Sequence, residues 1–274
     1  MDLTSEIVVQ KLFKKHRLRP SKRFGQNFLI DKGVLRKIIE VAEIYSEEVI
    51  LEIGSGIGNL TQELAQKAKK VIAIEKDPKM VNLLKETLKD FKNVEIIQRD
   101  ILTISDSRFQ ILNSDKVVAN LPYYVVSPVI RKFLESESPP KEMILMVQKE
   151  VAQRICGEPP DMSLLAVSVQ FYAEPEIISY VPKTSFWPQP KVDGAIIKLK
   201  VKSENLKVNR NLFFKIVKAG FSQPRKQLIN NLSKKLMIDK MKVGSWLLKN
   251  NIQPQQRAET LNVDGWIKLT KTIK

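Results

Sequence analysis

Three short stretches in the first half of the chain place ligand-grade chemistry at regular intervals. Glu52-Ile-Gly54-Ser-Gly56-Ile-Gly58 joins an apolar run to an amphipathic one. Glycines at such a junction let the backbone turn sharply and approach a ligand closely. The spacing is Gly-x-Gly-x-Gly, not the Gly-x-Gly-x-x-Gly of dinucleotide sites, and no Gly-Lys-Ser/Thr follows. That excludes a phosphate-binding P-loop. Glu75 lies 21 residues after Gly54, where a carboxylate can accept hydrogen bonds from both hydroxyls of a ribose. Asp100-Ile101 closes a third apolar run and is placed to receive an adenine amine. Sugar and base acceptors without a phosphate grip suit S-adenosylmethionine better than NAD. Gly54, Glu75, Asp100 and Ile101 are therefore expected to contact that methyl donor.

A fourth apolar run ends in Asn120-Leu-Pro-Tyr123, which resembles the Asn/Asp-x-Pro-Tyr signature of methyltransferases acting on the N6 amine of adenine. That amine is a weak nucleophile because its lone pair is delocalised into the purine. Acceptors for its two N–H groups favour a pyramidal, more reactive nitrogen. The Asn120 amide oxygen and the Leu121 carbonyl are the expected acceptors, Pro122 fixes the turn that aims the carbonyl, and Tyr123 stacks on an extruded base. Phe186, in the loop Val181-Pro-Lys-Thr-Ser-Phe-Trp-Pro-Gln-Pro-Lys191, is the candidate for the base's other face, with Trp187 the competitor. Transfer from a sulfonium needs in-line positioning more than a strong base, which suits a chain whose single histidine, His16, sits in the basic stretch Lys14-Lys-His-Arg-Leu-Arg19.

These residues need strand ends and helix starts to hold them. Periodicity predicts strands at 49–53, 71–74, 94–97, 116–119 and 143–147, alternating with helices at 34–44, 60–68, 78–91 and 127–134. Asp31 is a candidate cap for the helix at 34, and Pro78 suits a first helical position. Alternation of this kind implies a parallel sheet covered on both faces. Beyond Lys149 the pattern weakens, with a helix near 163–172 and a closing strand at 195–201. From about Asn205 it is purely helical, over 211–221, 225–237, 240–250 and 264–273. The expected class is α/β, a Rossmann-like catalytic domain over 31–204 preceded by a basic segment, 1–30, and followed by a small all-α domain, 205–274.

Charge is unevenly spread along these parts. Residues 1–30 carry a net +5, residues 31–197 a net −3 and residues 198–274 a net +14. Basic ends around a mildly acidic middle are the footprint of polyanion binding, since Lys and Arg displace counterions from phosphates. Lys14, Lys15, Arg17, Lys22, Arg23, Arg225 and Lys226 are the candidate RNA contacts. No apolar run reaches the roughly 18 residues of a membrane span, and the acidic start lacks a secretory h-region. A lone Cys156 excludes internal disulfides and cysteine-based zinc sites, no metal is implied, and a cytoplasmic location is expected.

Together these residues resemble the KsgA-type family of ribosomal RNA adenine dimethyltransferases. The most specific parts are Lys22-Arg-Phe-Gly-Gln-Asn-Phe-Leu29, Asn120-Leu-Pro-Tyr123, Val181-Pro-x-x-x-Phe186-x-Pro-x-Pro-Lys-Val192 and Phe221-Ser-Gln-Pro-Arg-Lys-Gln-Leu-Ile-Asn-Asn-Leu232. The resemblance implies two successive methylations on each of two adjacent adenines near the 3′ end of small-subunit rRNA, within a 30S pre-ribosomal particle, by a monomer. It also adds Asn27, Leu29 and Asn120 to the expected donor contacts. Where the family commonly has two basic residues after the glutamine, Pro224 precedes Arg225 here; its simplest role is to start the following helix. The related Erm class, acting on large-subunit rRNA, shares the Gln-Asn-Phe-Leu and Asn-x-Pro-Tyr motifs. A non-catalytic nucleic-acid-binding factor on the same fold is the alternative outside enzymes.

Overall fold

A computed structural model describes residues 1–104, 114–202 and 208–273, with Tyr123 described for its backbone alone. The chain divides into two compact units, Met1–Ala152 with Glu176–Val201, and Gln153–Pro175 with Lys202–Lys274. The boundary expected at 204 lies outside the described residues, and 153–175 groups with the C-terminal helices.

The first unit opens with helix α1 (Glu6–Lys15), longer-range order than a basic lead-in suggests. Val9, Leu12 and Phe13 form its buried stripe, and Phe13 packs against Phe28 and Trp187 with ring centroids 5.2 Å away in both cases. Strand β1 (Phe28–Leu29) follows. Helix α2 (Lys32–Ala42) starts where Asp31 accepts the Gly33 and Val34 N–H groups, the capping expected from sequence. Then come β2 (Val49–Ile53), α3 (Asn59–Ala65), β3 (Lys70–Glu75), α4 (Pro78–Thr87) and β4 (Val94–Gln98). Pro78 is in the first turn of α4, with Asp77 as its cap. Strand β5 (Lys116–Asn120), helix α5 (Val126–Leu134) and strand β6 (Glu142–Gln148) complete the alternation.

Helix α6 (Lys149–Ile155) directly continues β6, and α7 (Leu164–Gln170) starts from the Ser163 cap. Strand β7 (Ala173–Val181) joins the sheet, and β8 (Phe186–Trp187) pairs with β1 antiparallel, Leu29 opposite Phe186. Strand β9 (Gly194–Val201) runs antiparallel to β6. Of these elements α6, β7 and β8 were not expected, whereas α7 and β9 fall at the helix near 163–172 and the closing strand at 195–201. The seven-stranded order is β4-β3-β2-β5-β6-β9-β7, and the pairs from β4 to β6 are all parallel. Strand order reverses between β2 and β5, which is where such sheets open a ligand crevice at their C-terminal edge.

The second unit holds α8 (Arg210–Gly220), α9 (Leu228–Leu236), α10 (Lys240–Lys249) and α11 (Val263–Thr272). Phe171 and Phe213 centre its core, ring centroids 4.2 Å apart. Helix α9 begins at Leu228 after the Gln227 cap, not at 225, so Pro224 does not start it. Pro224, Arg225 and Lys226 instead form an exposed turn. Asn231 pins that turn, its amide donating to the oxygens of Gly220 (2.6 Å) and Gln223 (3.0 Å).

Candidate active site

The C-terminal ends of β2, β3, β4 and β5 open into one cleft. Its lining includes Asn27, Gly54, Glu75, Asp100, Ile101, Asn120, Leu121, Pro122 and Phe186, so a single cavity gathers residues spread over 160 positions of sequence. Gly54, Gly56 and Gly58 all hold positive φ, 74°, 56° and 88°, a region that L side chains rarely adopt. At Gly56 a Cβ would lie 3.1 Å from the Phe28 ring. Bare backbone is therefore required where the turn meets the N-terminal segment.

Glu75 is held by the chain around it. Its Oε2 accepts the Gly56 N–H at 2.9 Å and its Oε1 accepts the Asp77 N–H at 2.8 Å. Each oxygen keeps a second lone pair, a pair of acceptors that fits the two O–H groups of a vicinal diol such as a ribose. Burial raises the Glu75 pKa, and the backbone N–H groups of Asp77, Gly56 and Lys76 pull against that rise. Beneath it Glu52 is fully buried; desolvation pushes its carboxyl up to about 7 against the hydrogen bond from Thr61. At Asp100 burial raises the pKa, but the Lys76 ammonium and the Leu102 N–H more than offset it, leaving a net lowering. Lys76 Nζ sits 2.6 Å from Asp100 Oδ2 and the Leu102 N–H donates to Oδ1 at 3.0 Å, so both oxygens of this carboxylate are held in place.

The Asn120-Leu-Pro-Tyr123 turn is built at the end of β5. The Leu121 N–H donates to Met146 O at 3.2 Å, tying the turn to β6. Asn120 Nδ2 donates to Asn27 O at 3.3 Å, which leaves Oδ1 as the end presented to a ligand. Pro122 has φ −57° and ψ 135°, the extended geometry that lets the chain turn into Tyr123–Val125. Gly25 abuts this turn: a Cβ there would be 3.3 Å from Pro122 Cβ and 3.5 Å from Tyr124 Cε1. The Tyr123 side chain lies outside what is described.

Phe186 lines the cleft, whereas Trp187 packs on Phe13 and Phe28. Leu29 is not in the lining; it is buried in the core beside α2, and its carbonyl accepts from the Asn59 amide. The basic candidates lie outside the cleft. Lys14, Arg17, Lys22 and Arg23 are exposed, and Lys15 is paired with Glu86 at 2.6 Å. His16 Nε2 contacts the same carboxylate at 2.8 Å. Arg225 and Lys226 are exposed in the helical unit. Sequence reading did not single out Gln26, Lys76 or Tyr124, all in the lining. All three neighbour a residue that it did choose, Asn27, Glu75 and Tyr123 respectively.

A family model described as ribosomal RNA adenine dimethylase matches residues 16–274. A protein of Dehalococcoides mccartyi named ribosomal RNA small subunit methyltransferase A is 42% identical over 262 residues, covering 94% of this chain and 89% of its own. One of the same name from Caldanaerobacter subterraneus is 43% identical over 265 residues, covering 93% and 98%. Among solved structures, a dimethyladenosine transferase from Plasmodium falciparum superposes with a TM-score of 0.76 at 29% identity, over 88% of this chain and 95% of that one. The 23S rRNA methyltransferase ErmE superposes with a TM-score of 0.73 at 26% identity, over 89% and 98%.

Proposed function

The chain belongs to the ribosomal RNA adenine dimethylase family, and from that premise we propose that it methylates two adjacent adenosines near the 3′ end of small-subunit rRNA, twice each. It is an S-adenosylmethionine-dependent rRNA adenine N6-dimethyltransferase with a Rossmann-like catalytic unit. Relatives named for the small subunit at 42% and 43% identity support that subunit over the large one. ErmE, named for 23S rRNA, is 26% identical. No helix among the described residues is long and apolar enough to cross a membrane. The basic ends of the chain suit a large structured RNA, so the substrate is a 30S pre-ribosomal particle, met in the cytoplasm by a monomer.

The observation that carries the reading is the Asn120 amide, oriented by Asn27 O at the end of β5. When bound, S-adenosylmethionine supplies an electrophilic methyl group. Glu75, Gly54 and Asp100 hold the donor, with Asn27, Ile101 and Asn120 beside them. Asn120 Oδ1 and the Leu121 carbonyl accept the two N–H groups of the target amine, raising the availability of its lone pair. The same two acceptors align that amine with the methyl group the bound donor would supply, and the amine's displaced proton would pass to water. Neither step calls for a histidine base. Tyr123 and Phe186 sandwich the extruded adenine, and Lys14, Lys15, Arg17, Lys22, Arg23, Arg225 and Lys226 meet phosphates. A second round uses the N–H that remains.

The test is transfer of labelled methyl groups to undermethylated small and large subunits supplied separately. Label in dimethyladenosine of the small subunit is the expected result. Label confined to the large subunit would assign the chain to the Erm class, and label in neither would end the enzymatic reading.

A further inference from the structure

Gln26, in the Gln26-Asn-Phe-Leu29 block, borders the cleft, and both ends of its side-chain amide are engaged within the protein. Its Oε1 accepts the Ser21 N–H at 2.7 Å, and its own N–H donates to Ser21 O at 3.2 Å. These two bonds close residues 21–26 into a ring that presents Lys22 and Arg23 to solvent. From the other end of the amide, Nε2 donates to Asp77 Oδ2 at 2.9 Å. Asp77 is itself only 4% exposed, and its N–H is the group that holds Glu75 Oε1. An unbroken hydrogen-bonded path therefore runs from the basic ring through Gln26 and Asp77 to the donor-binding carboxylate. The same ring rests on the catalytic turn, through Gly25 against Pro122 and through Asn27 O on Asn120.

We infer that Gln26 is a positioning residue that makes donor binding and RNA binding reinforce each other, an inference resting on the reading of Lys22 and Arg23 as RNA contacts. A donor whose ribose fixes Glu75 also fixes Asp77, and through Gln26 it fixes the ring that carries the two cations. Phosphates held by those cations order the same path from the far side. Linkage requires the two effects to be equal: whatever factor the donor adds to RNA affinity, RNA adds to donor affinity. Only an amide serves at position 26, because it must accept from Ser21 and donate to a carboxylate at once.

The experiment measures binding of undermethylated small subunits with and without saturating S-adenosylhomocysteine, and of S-adenosylhomocysteine with and without the subunits. In the unaltered chain each ligand tightens the other by the same factor, about 5- to 10-fold. In Gln26→Leu the factor falls to about one while the subunits alone bind within roughly twofold of the unaltered chain; donor affinity alone falls by a modest factor, because Gln26 borders the cleft but Glu75, Gly54 and Asp100 remain. Gln26→Glu sets a carboxylate against Asp77 and also abolishes the factor. Adding Asp77→Asn restores it, since the introduced amide donates to the introduced carboxylate and asparagine still caps α4. A factor of one in the unaltered chain, a factor retained in Gln26→Leu, donor affinity lost outright in that variant, or no return in the double variant overturns the inference. Methyl transfer to the subunits by the unaltered chain is scored separately, so failure of the proposed activity is distinguishable from failure of the coupling.

Discussion

Asn120 Nδ2 donates to the backbone oxygen of Asn27 at 3.3 Å, so the last residue of β5 and the N-terminal segment fix one another at the donor cleft. One end of the Asn120 amide is thereby committed, and the free end is an acceptor. An acceptor is what an amine nucleophile needs, and it must already point correctly when the substrate arrives.

Asn120→Ala is therefore expected to lower kcat by about 100-fold or more, the usual effect of removing one preorganised polar partner of the transition state. Donor affinity falls much less, because Glu75 and the Gly54 turn remain. Asn120→Asp keeps an acceptor but sets a carboxylate beside Asn27 O, and its activity falls between the two. Single-turnover rates together with donor binding by calorimetry separate these effects. Normal turnover in Asn120→Ala would remove the residue from the chemistry.

The strands carrying this site were legible because each is a short apolar run closed by a ligand-type residue. β2 runs from Val49 to Ile53 as expected, and β5 ends on Asn120. What stayed hidden had weaker local signals. In α1 a buried stripe of only Val9, Leu12 and Phe13 sits among lysines, so composition masked the helix. β7 begins Ala173-Glu-Pro-Glu176, with charge and proline of a kind found in edge strands. Helix α9 starts three residues later than its periodicity suggested because Asn231 secures the preceding turn through backbone oxygens. Gln26 could not be chosen from sequence, since its partners lie 5 and 51 residues away. Leu29, matched to the donor by resemblance, is in the core.

Glu52 makes the stability of the catalytic unit depend on pH. Its carboxyl titrates near 7 in the folded chain, chiefly because it is fully buried, against 4.5 ordinarily. Between those values the folded chain holds a proton that the unfolded chain has lost. Stability therefore falls as pH rises through that window and stays lower above it. The full effect is roughly 3 kcal/mol, an order-of-magnitude conversion at 1.36 kcal/mol per pKa unit. Glu52→Gln has nothing to titrate there, so its denaturation midpoint should lose this slope between about pH 5 and 7. A slope equal to that of the unaltered chain would show that Glu52 is not its source.

Gly220 tests the packing of the helical unit. A Cβ at this position would lie 2.3 Å from Trp266 Cη2 and 2.9 Å from Cζ3, and Trp266 is fully buried. The indole cannot withdraw without opening the core, so Gly220→Ala is expected to destabilise the unit by about 1–3 kcal/mol, the range for overpacking. Gly244→Ala is the control, because its nearest neighbour would be Ile229 Cδ1 at 3.4 Å, an ordinary contact. Urea unfolding followed by tryptophan fluorescence compares the two, and equal midpoints would mean that α8 and α11 tolerate a wider spacing.

Arg225 and Lys226 stand exposed in a turn whose backbone Asn231 hydrogen-bonds. With the backbone of the turn fixed and both side chains in solvent, both cations are expected to contribute to RNA binding. Each phosphate contact adds about 0.7 to 0.9 to the slope of log affinity against log salt. Replacing both, Arg225→Glu with Lys226→Glu, should reduce that slope by about 2 and weaken binding most at low salt. Donor affinity should not change, because the cleft lies wholly in the other unit. Weaker binding with an unchanged slope would point to damage to the turn and not to lost phosphate contacts. An unchanged affinity would remove this surface from the RNA interface altogether.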